Sequence, residues 1–162
     1  VTPIALLADT HMPKGTRRLP PRCAELIAGA EALVHAGDFI TVAVLEELEA
    51  LCPVVHAVHG NVDEAVLRRS LPETREVRLG ERVLAVLHDA GPSQGRMRRL
   101  RKRFPQADAV LFGHSHLPLH EEDGDFQIFN PGSPTERRRA PRRSMGMLHL
   151  EGEGLRFEHV WL

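Results

Sequence analysis

Apolar residues in this chain gather in short runs that stop abruptly at polar or small residues. The first, IALLA at 4–8, is too short for a buried helix and breaks into DTHMPKGTRRLPP, so it predicts a buried strand. Pro21 then suits a first helical position, and RCAELIAGA has apolar residues at helical spacing. The same unit recurs as ALVHAGDF, a strand and loop, followed by Thr41 as N-cap of a helix over VAVLEELEAL. A third strand and helix are predicted in VVHAVHGNVDEAVLRR. Such alternation predicts parallel strands joined by right-handed crossovers, in a sheet covered on both faces.

After Pro72 the pattern changes. EVRLGERVLAVLH predicts a hairpin turning at Gly80 and Glu81, RMRRLRKRF a helix, VLFGHSH a strand end and FQIFNPGSP the start of a strand-rich tail. MGMLHLEGEGLRFEHVWL predicts two closing strands around a glycine-containing turn. In the helix, Met97, Leu100 and Phe104 form one apolar face and the arginines a solvated one. Neither an internal repeat nor a linker interrupts residues 1–162, which are expected to form one domain.

At 162 residues and 42% hydrophobic, the chain can bury one ordinary core. A formal net charge of -1 gives no overall attraction to nucleic acid or anionic membrane. Aromatic content of 4% with no tyrosine weakens the case for a base-stacking groove, so nucleic acid is not an expected partner. Cys23 and Cys52 form no CxxC pattern, so neither a disulfide framework nor a thiolate zinc site is expected. No run approaches the ~18 apolar residues of a membrane span, and the N-terminus opens on a strand-like segment, giving a cytoplasmic expectation with no membrane.

In open α/β sheets, ligands bind beyond the carboxyl ends of the strands. The residues there are Asp9 and His11 in LADTH, Asp38 in HAGDF, Asn61 in VHGNVD, His88 in VLAVLHD, and His114 and His116 in FGHSH. Residues at i and i+2 leaving a strand point to one side, so each pair can reach one volume. Four imidazoles and three oxygen donors exceed one tetrahedral ion and favour two metals bridged by a carboxylate. Mixed oxygen and nitrogen donors suit Mn²⁺, Fe²⁺, Zn²⁺ or Ni²⁺, with Mn²⁺ placed first. Gly37, Gly60 and Gly113 each precede a donor, where the chain turns sharply and the backbone comes close. A metal pair of this kind serves phosphoester hydrolysis.

In this order, DTH, GD, GNVD, the strand ending in His88, GHSH and NPGS resemble the calcineurin-like metallophosphoesterases, in the small phosphodiesterase branch related to Vps29. The resemblance implies an α/β fold of two mixed β-sheets packed as a sandwich and flanked by helices. It implies that Asp9, His11 and His116 hold one metal, that Asn61, His88 and His114 hold the other, and that Asp38 bridges them. Asp38, Asn61 and His114 would be catalytic, with a metal-bridging hydroxide attacking a small phosphodiester. Many relatives place a proton-donating histidine after the GN pair, where this chain has Val62, so weak monoesterase activity is expected. HDAG at 88–91 also departs from the usual histidine followed directly by glycine.

Arg137, Arg138 and Arg139, with Arg142 and Arg143, follow NPGS and are candidates for binding a substrate phosphate. His35, His56, His59, His120, His149 and His159 complete no ligand pattern and are read as ordinary hydrogen-bonded residues. Two other readings are a non-catalytic scaffold of the Vps29 kind and a nuclease. All seven ligand-type residues are present, which argues against the first. A homo-oligomer is compatible with everything above.

Overall fold

A computed structural model describes residues 3–12, 17–152 and 154–162. Residues 13–16, in the polar stretch after the first predicted strand, and residue 153, in the last predicted turn, lie outside the described residues.

The first half folds as strand β1 (Ile4–Leu7), helix α1 (Pro21–Ala28), β2 (Ala32–His35), α2 (Val42–Leu51), β3 (Val55–Ala57) and α3 (Ala65–Ser70). β1, β2 and β3 are parallel neighbours, with Ile4 opposite Ala32 and Leu33 opposite Val55. Pro21 opens α1 as expected, since its missing N–H falls where a helix has no acceptor to offer. Thr41 occupies the N-cap position of α2 with extended backbone, but its buried hydroxyl makes no capping bond.

The second half begins with the predicted hairpin of β4 (Thr74–Leu79) and β5 (Arg82–Leu87), where Gly80 takes a φ of +65°. Helix α4 (Arg96–Arg103) and β6 (Ala109–Leu111) follow, then β7 (Leu119–Asp123), β8 (Phe126–Asn130), β9 (Ser144–Glu151) and β10 (Gly154–Trp161). Two mixed five-stranded sheets result, ordered β10-β9-β1-β2-β3 and β4-β5-β6-β8-β7.

Alternation along the strands builds three hydrophobic layers. Ile4, Leu6 and Val34 of the first sheet pack on Leu84, Leu111 and Phe129 of the second. Ala5, Leu7 and Leu33 point the other way, onto Ile27 of α1 and Leu48 of α2. Ala85, Val110 and Ile128 pack on Leu100 and Phe104 at the outer face of the second sheet. Both faces of the β1-β2-β3 sheet are covered, as the alternation predicts, by helices on one side and by the second sheet on the other. The basic face of α4 is less free than its composition suggested. Arg96 bonds the Gly91 carbonyl, Arg99 those of Ala90 and Pro92, and Arg101 pairs with Asp123 at 3.0 Å.

Candidate metal centre

The loops leaving β1, β2, β5 and β6 meet along one end of the sandwich. Asp9 N–H donates to the Gly37 carbonyl and Gly113 N–H to that of His88, both across strand ends. Five candidate ligands have left-handed backbone: Asp9 (φ 55°), His11 (47°), Asp38 (65°), His114 (72°) and His116 (63°). For non-glycine residues this costs on the order of 1 kcal/mol each and persists where surrounding bonds over-determine it. Here His11 N–H to the Asp38 carbonyl and Met12 N–H to the Phe39 carbonyl, each 3.0 Å, lock the β1 loop onto the β2 loop. The pairs at i and i+2 therefore converge through left-handed turns, and the pleat invoked from sequence does not operate.

Two donor groups form. Nε2 of His11 and of His116 lie 3.6 and 3.5 Å from Asp9 Oδ1. Nδ1 of His114 lies 3.2 Å from Asn61 Oδ1 and 3.3 Å from His88 Nε2. Asp38 Oδ2 stands between them, 3.3 Å from His11 and 3.1 Å from His88. Asp9 Oδ1 also approaches His88 Nε2, at 3.8 Å, so both carboxylates lie at the junction. All seven residues picked from sequence come together, with His114 and Asn61 exposed at the rim and the other five buried.

Close packing explains two of the glycines. A Cβ on Gly60 would collide with the Asp38 carboxylate, and one on Gly113 would lie 3.0 Å from Asp9 Oδ2 and closer still to Ala8.

Orientation comes from residues that motif spacing did not single out. The buried Asp63 carboxylate accepts from three backbone N–H groups: Asp38 at 3.0 Å, Ile40 at 2.9 Å and Gly60 at 2.7 Å. Val62 N–H donates to Asp38 Oδ1, which leaves Oδ2 for the two histidines. His88 Nδ1 faces the Ala36 carbonyl at 2.9 Å, turning Nε2 inward. His35, fully buried, accepts from Gly37 N–H on Nδ1 and bonds Thr10 through Nε2. Burial, with the nearby His88, lowers its pKa to about 3 and keeps it neutral. Ser133 donates to the Asp9 carbonyl and Thr135 to that of Thr10, while Asn130 holds the Gly113 carbonyl. Asp63, Asn130 and Ser133 lie within GNVD and NPGS, so those motifs carried a signal. His35 opens HAGDF and Glu136 follows NPGS by three residues, but neither completes a ligand pattern.

The donor chemistry fits divalent cations. Both Asp9 oxygens and His11 Nε2 are buried without a hydrogen-bond partner. A carboxylate stripped of water and donors is costly unless a cation lies against it. Burial opposes a charge on His11, but the facing carboxylates of Asp38 and Asp9 outweigh it and raise its pKa to about 9. The Asp38 carboxyl lies well below its usual range: burial opposes the shift, and His11 and His88 overcome it. Below pH 9 a cation held by His11 would therefore have to displace its proton. Metal affinity is expected to rise by about tenfold per pH unit from neutrality towards pH 9, with proton release on binding. Calorimetry in buffers of different ionisation enthalpy measures this, and pH-independent affinity without proton release would contradict it.

Glu136 Oε2 lies 3.5 Å from Nδ1 of His116, whose Nε2 faces Asp9. Burial raises the Glu136 pKa, but Arg17, His116 and Arg138 lower it further, so it is ionised. A carboxylate behind a ligating imidazole fixes its tautomer. Glu136→Gln is expected to weaken metal binding by about 10-fold or more with little change in melting temperature. Unchanged affinity would show that Glu136 does not orient His116.

Of the arginines after NPGS, Arg138 lies beside this site, with Nε 3.7 Å from Glu136 and φ of 47°. Arg137 turns back to the Ala140 carbonyl, and Arg139 is exposed. Asp89, in the HDAG departure, accepts from Gly91 N–H and comes within 3.9 Å of His114 Nε2. His120, His149 and His159 bond Gln127, Glu158 and the Asn130 carbonyl and take no part in the cluster.

Comparison with known proteins agrees with this geometry. A model of the calcineurin-like phosphoesterase superfamily domain matches residues 3–153. A probable metallophosphoesterase of Methanothermobacter thermautotrophicus is 32% identical, over 97% of this chain and 91% of its own. Phosphodiesterase YfcE of Escherichia coli is 31% identical, over 87% of this chain and 84% of its own. Vps29 of Chaetomium thermophilum superposes with a TM-score of 0.82 over 99% of this chain and 97% of its own, at 18% identity, a likeness of fold. With the family match spanning almost the whole sandwich and its donor loops, the chain belongs to the calcineurin-like phosphoesterase superfamily.

Proposed function

We propose that this protein is a phosphodiesterase that works with two divalent metal ions, Mn²⁺ first among them. The observation that carries the proposal is the position of Asp38 Oδ2 between two histidine-containing donor groups. Asp9, His11 and His116 would hold one ion, and Asn61, His88 and His114 the other, with Asp38 shared. Such ions supply an activated water and neutralise charge developing at phosphorus. The chain's own residues do the rest. Val62 N–H and the Ala36 carbonyl fix Asp38 and His88, so these donors are preorganised. Substrate would enter past His114 and Asn61, which are exposed, and Arg138, beside Glu136, would meet a non-bridging phosphate oxygen.

Val62 has no titratable group with which to protonate a departing alcohol. An aryl diester is therefore expected to be cleaved with a kcat/KM about 100-fold or more above that of an alkyl phosphomonoester, whose departing alcohol needs a proton. Assays of both esters with protein supplied with Mn²⁺, Ni²⁺, Zn²⁺ or Mg²⁺ in turn would show it. Faster monoester cleavage with every metal would overturn the preference.

A further inference from the structure

A cavity of about 310 Å³ opens beside the rim of the cluster. Asn61 and His88 line one end, while Arg68, Arg103, His59 and Glu73 surround the rest. The guanidiniums come from separate elements, Arg68 from the last turn of α3 and Arg103 from the end of α4. Among the described residues, neither makes an ion pair or a side-chain hydrogen bond; Arg103 only lies over the Phe104 ring, 5.4 Å from its centroid. This sets them apart from Arg96, Arg99 and Arg101 of α4, which hold backbone carbonyls and carboxylates. Asp89 also lines the cavity, but its carboxylate is engaged by Gly91 N–H and faces His114. Two uncommitted fork-shaped donors in one concavity, against the single free carboxylate of Glu73, match a dianionic phosphate better than a neutral group.

We infer that Arg68 and Arg103 form an anion subsite beside the metal centre, which receives a phosphate carried on one arm of the diester. The inference rests on the phosphodiesterase reading for the word diester, but the subsite itself does not. The substrate class is then a phosphodiester in which one alcohol bears its own phosphate group. The volume suits a short arm of that kind.

Two measurements test this. Ethane-1,2-bisphosphonate binding to the metal-stripped protein, followed by calorimetry, is expected to weaken by about 10-fold or more in R68A/R103A and to recover in part in R68K/R103K. Methyl p-nitrophenyl phosphate is then compared with the analogue whose methyl arm is lengthened to 2-phosphoethyl. The ratio of their kcat/KM values is expected to favour the phosphate-bearing arm in the wild type and to fall by about 20-fold in R68A/R103A. No bisphosphonate binding by the wild type, or equal binding by both proteins, overturns the subsite. If the wild type cleaves neither diester while bisphosphonate binding still depends on the two arginines, the hydrolase reading fails and the subsite stands.

Discussion

Asp38→Ala is expected to lower phosphodiester turnover by a factor on the order of a thousand or more, and to reduce bound metal below two ions per chain. Asp38 Oδ2 faces both donor groups, at 3.3 Å from His11 and 3.1 Å from His88, and Oδ1 is fixed by Val62 N–H. Among the described residues, the other carboxylate at this position is Asp9, whose Oδ1 is already surrounded by His11, His88 and His116. The substitution also removes one of the two carboxylates that raise the pKa of His11, so that histidine loses its proton at lower pH than in the wild type. Turnover and metal content are measured together on the folded variant. Wild-type values of both would exclude Asp38 from the centre.

Asp63→Ala is the second large effect, and it acts on the scaffold. The loss exposes the backbone N–H groups of Asp38, Ile40 and Gly60 to a buried site with no acceptor. Three bonds that share one acceptor do not add independently, and removing one partner of a buried, hydrogen-bonded carboxylate costs about 3–5 kcal/mol, which is the loss of stability expected here. Metal binding should fall as well, since Asp38 and Gly60 sit on the released loops. Asp63→Asn keeps one acceptor oxygen and is expected to fall between alanine and the wild type. Denaturant unfolding checks the order, and a variant as stable as the wild type would show that water replaces the carboxylate.

Much of the site was legible because strand ends in an α/β sheet are where functional side chains collect, and short apolar runs mark those ends well. The grouping of Asp9, His11 and His116 followed from the family resemblance that those motifs carry. The details that make the cluster work are tertiary. Left-handed backbone at Asp9, Asp38 and His114 follows from bonds between loops that are far apart in sequence, such as Asp63 to Asp38, and residue type does not announce it. Glu136 reaches His116 from a loop on the far side of two strands, again with no local pattern. In the fold, β7 was missed because LHEED is an edge strand with mostly exposed residues, so burial leaves no alternation to read; its pairing to β8 is made by the backbone. The placement of β9 beside β1 is equally non-local, returning the C-terminal hairpin to the first strand. Arg68 and Arg103 come together because α3 and α4 each present a residue to one cavity, which no spacing along the chain could show.

The most direct test of the central claim is a titration of metal-stripped protein with Mn²⁺, in which bound ions and aryl phosphodiester turnover are measured on the same samples. Two ions per chain are expected, with turnover rising as the second one binds. Full turnover in the metal-free protein, or two bound ions with no cleavage of any diester, would contradict the account.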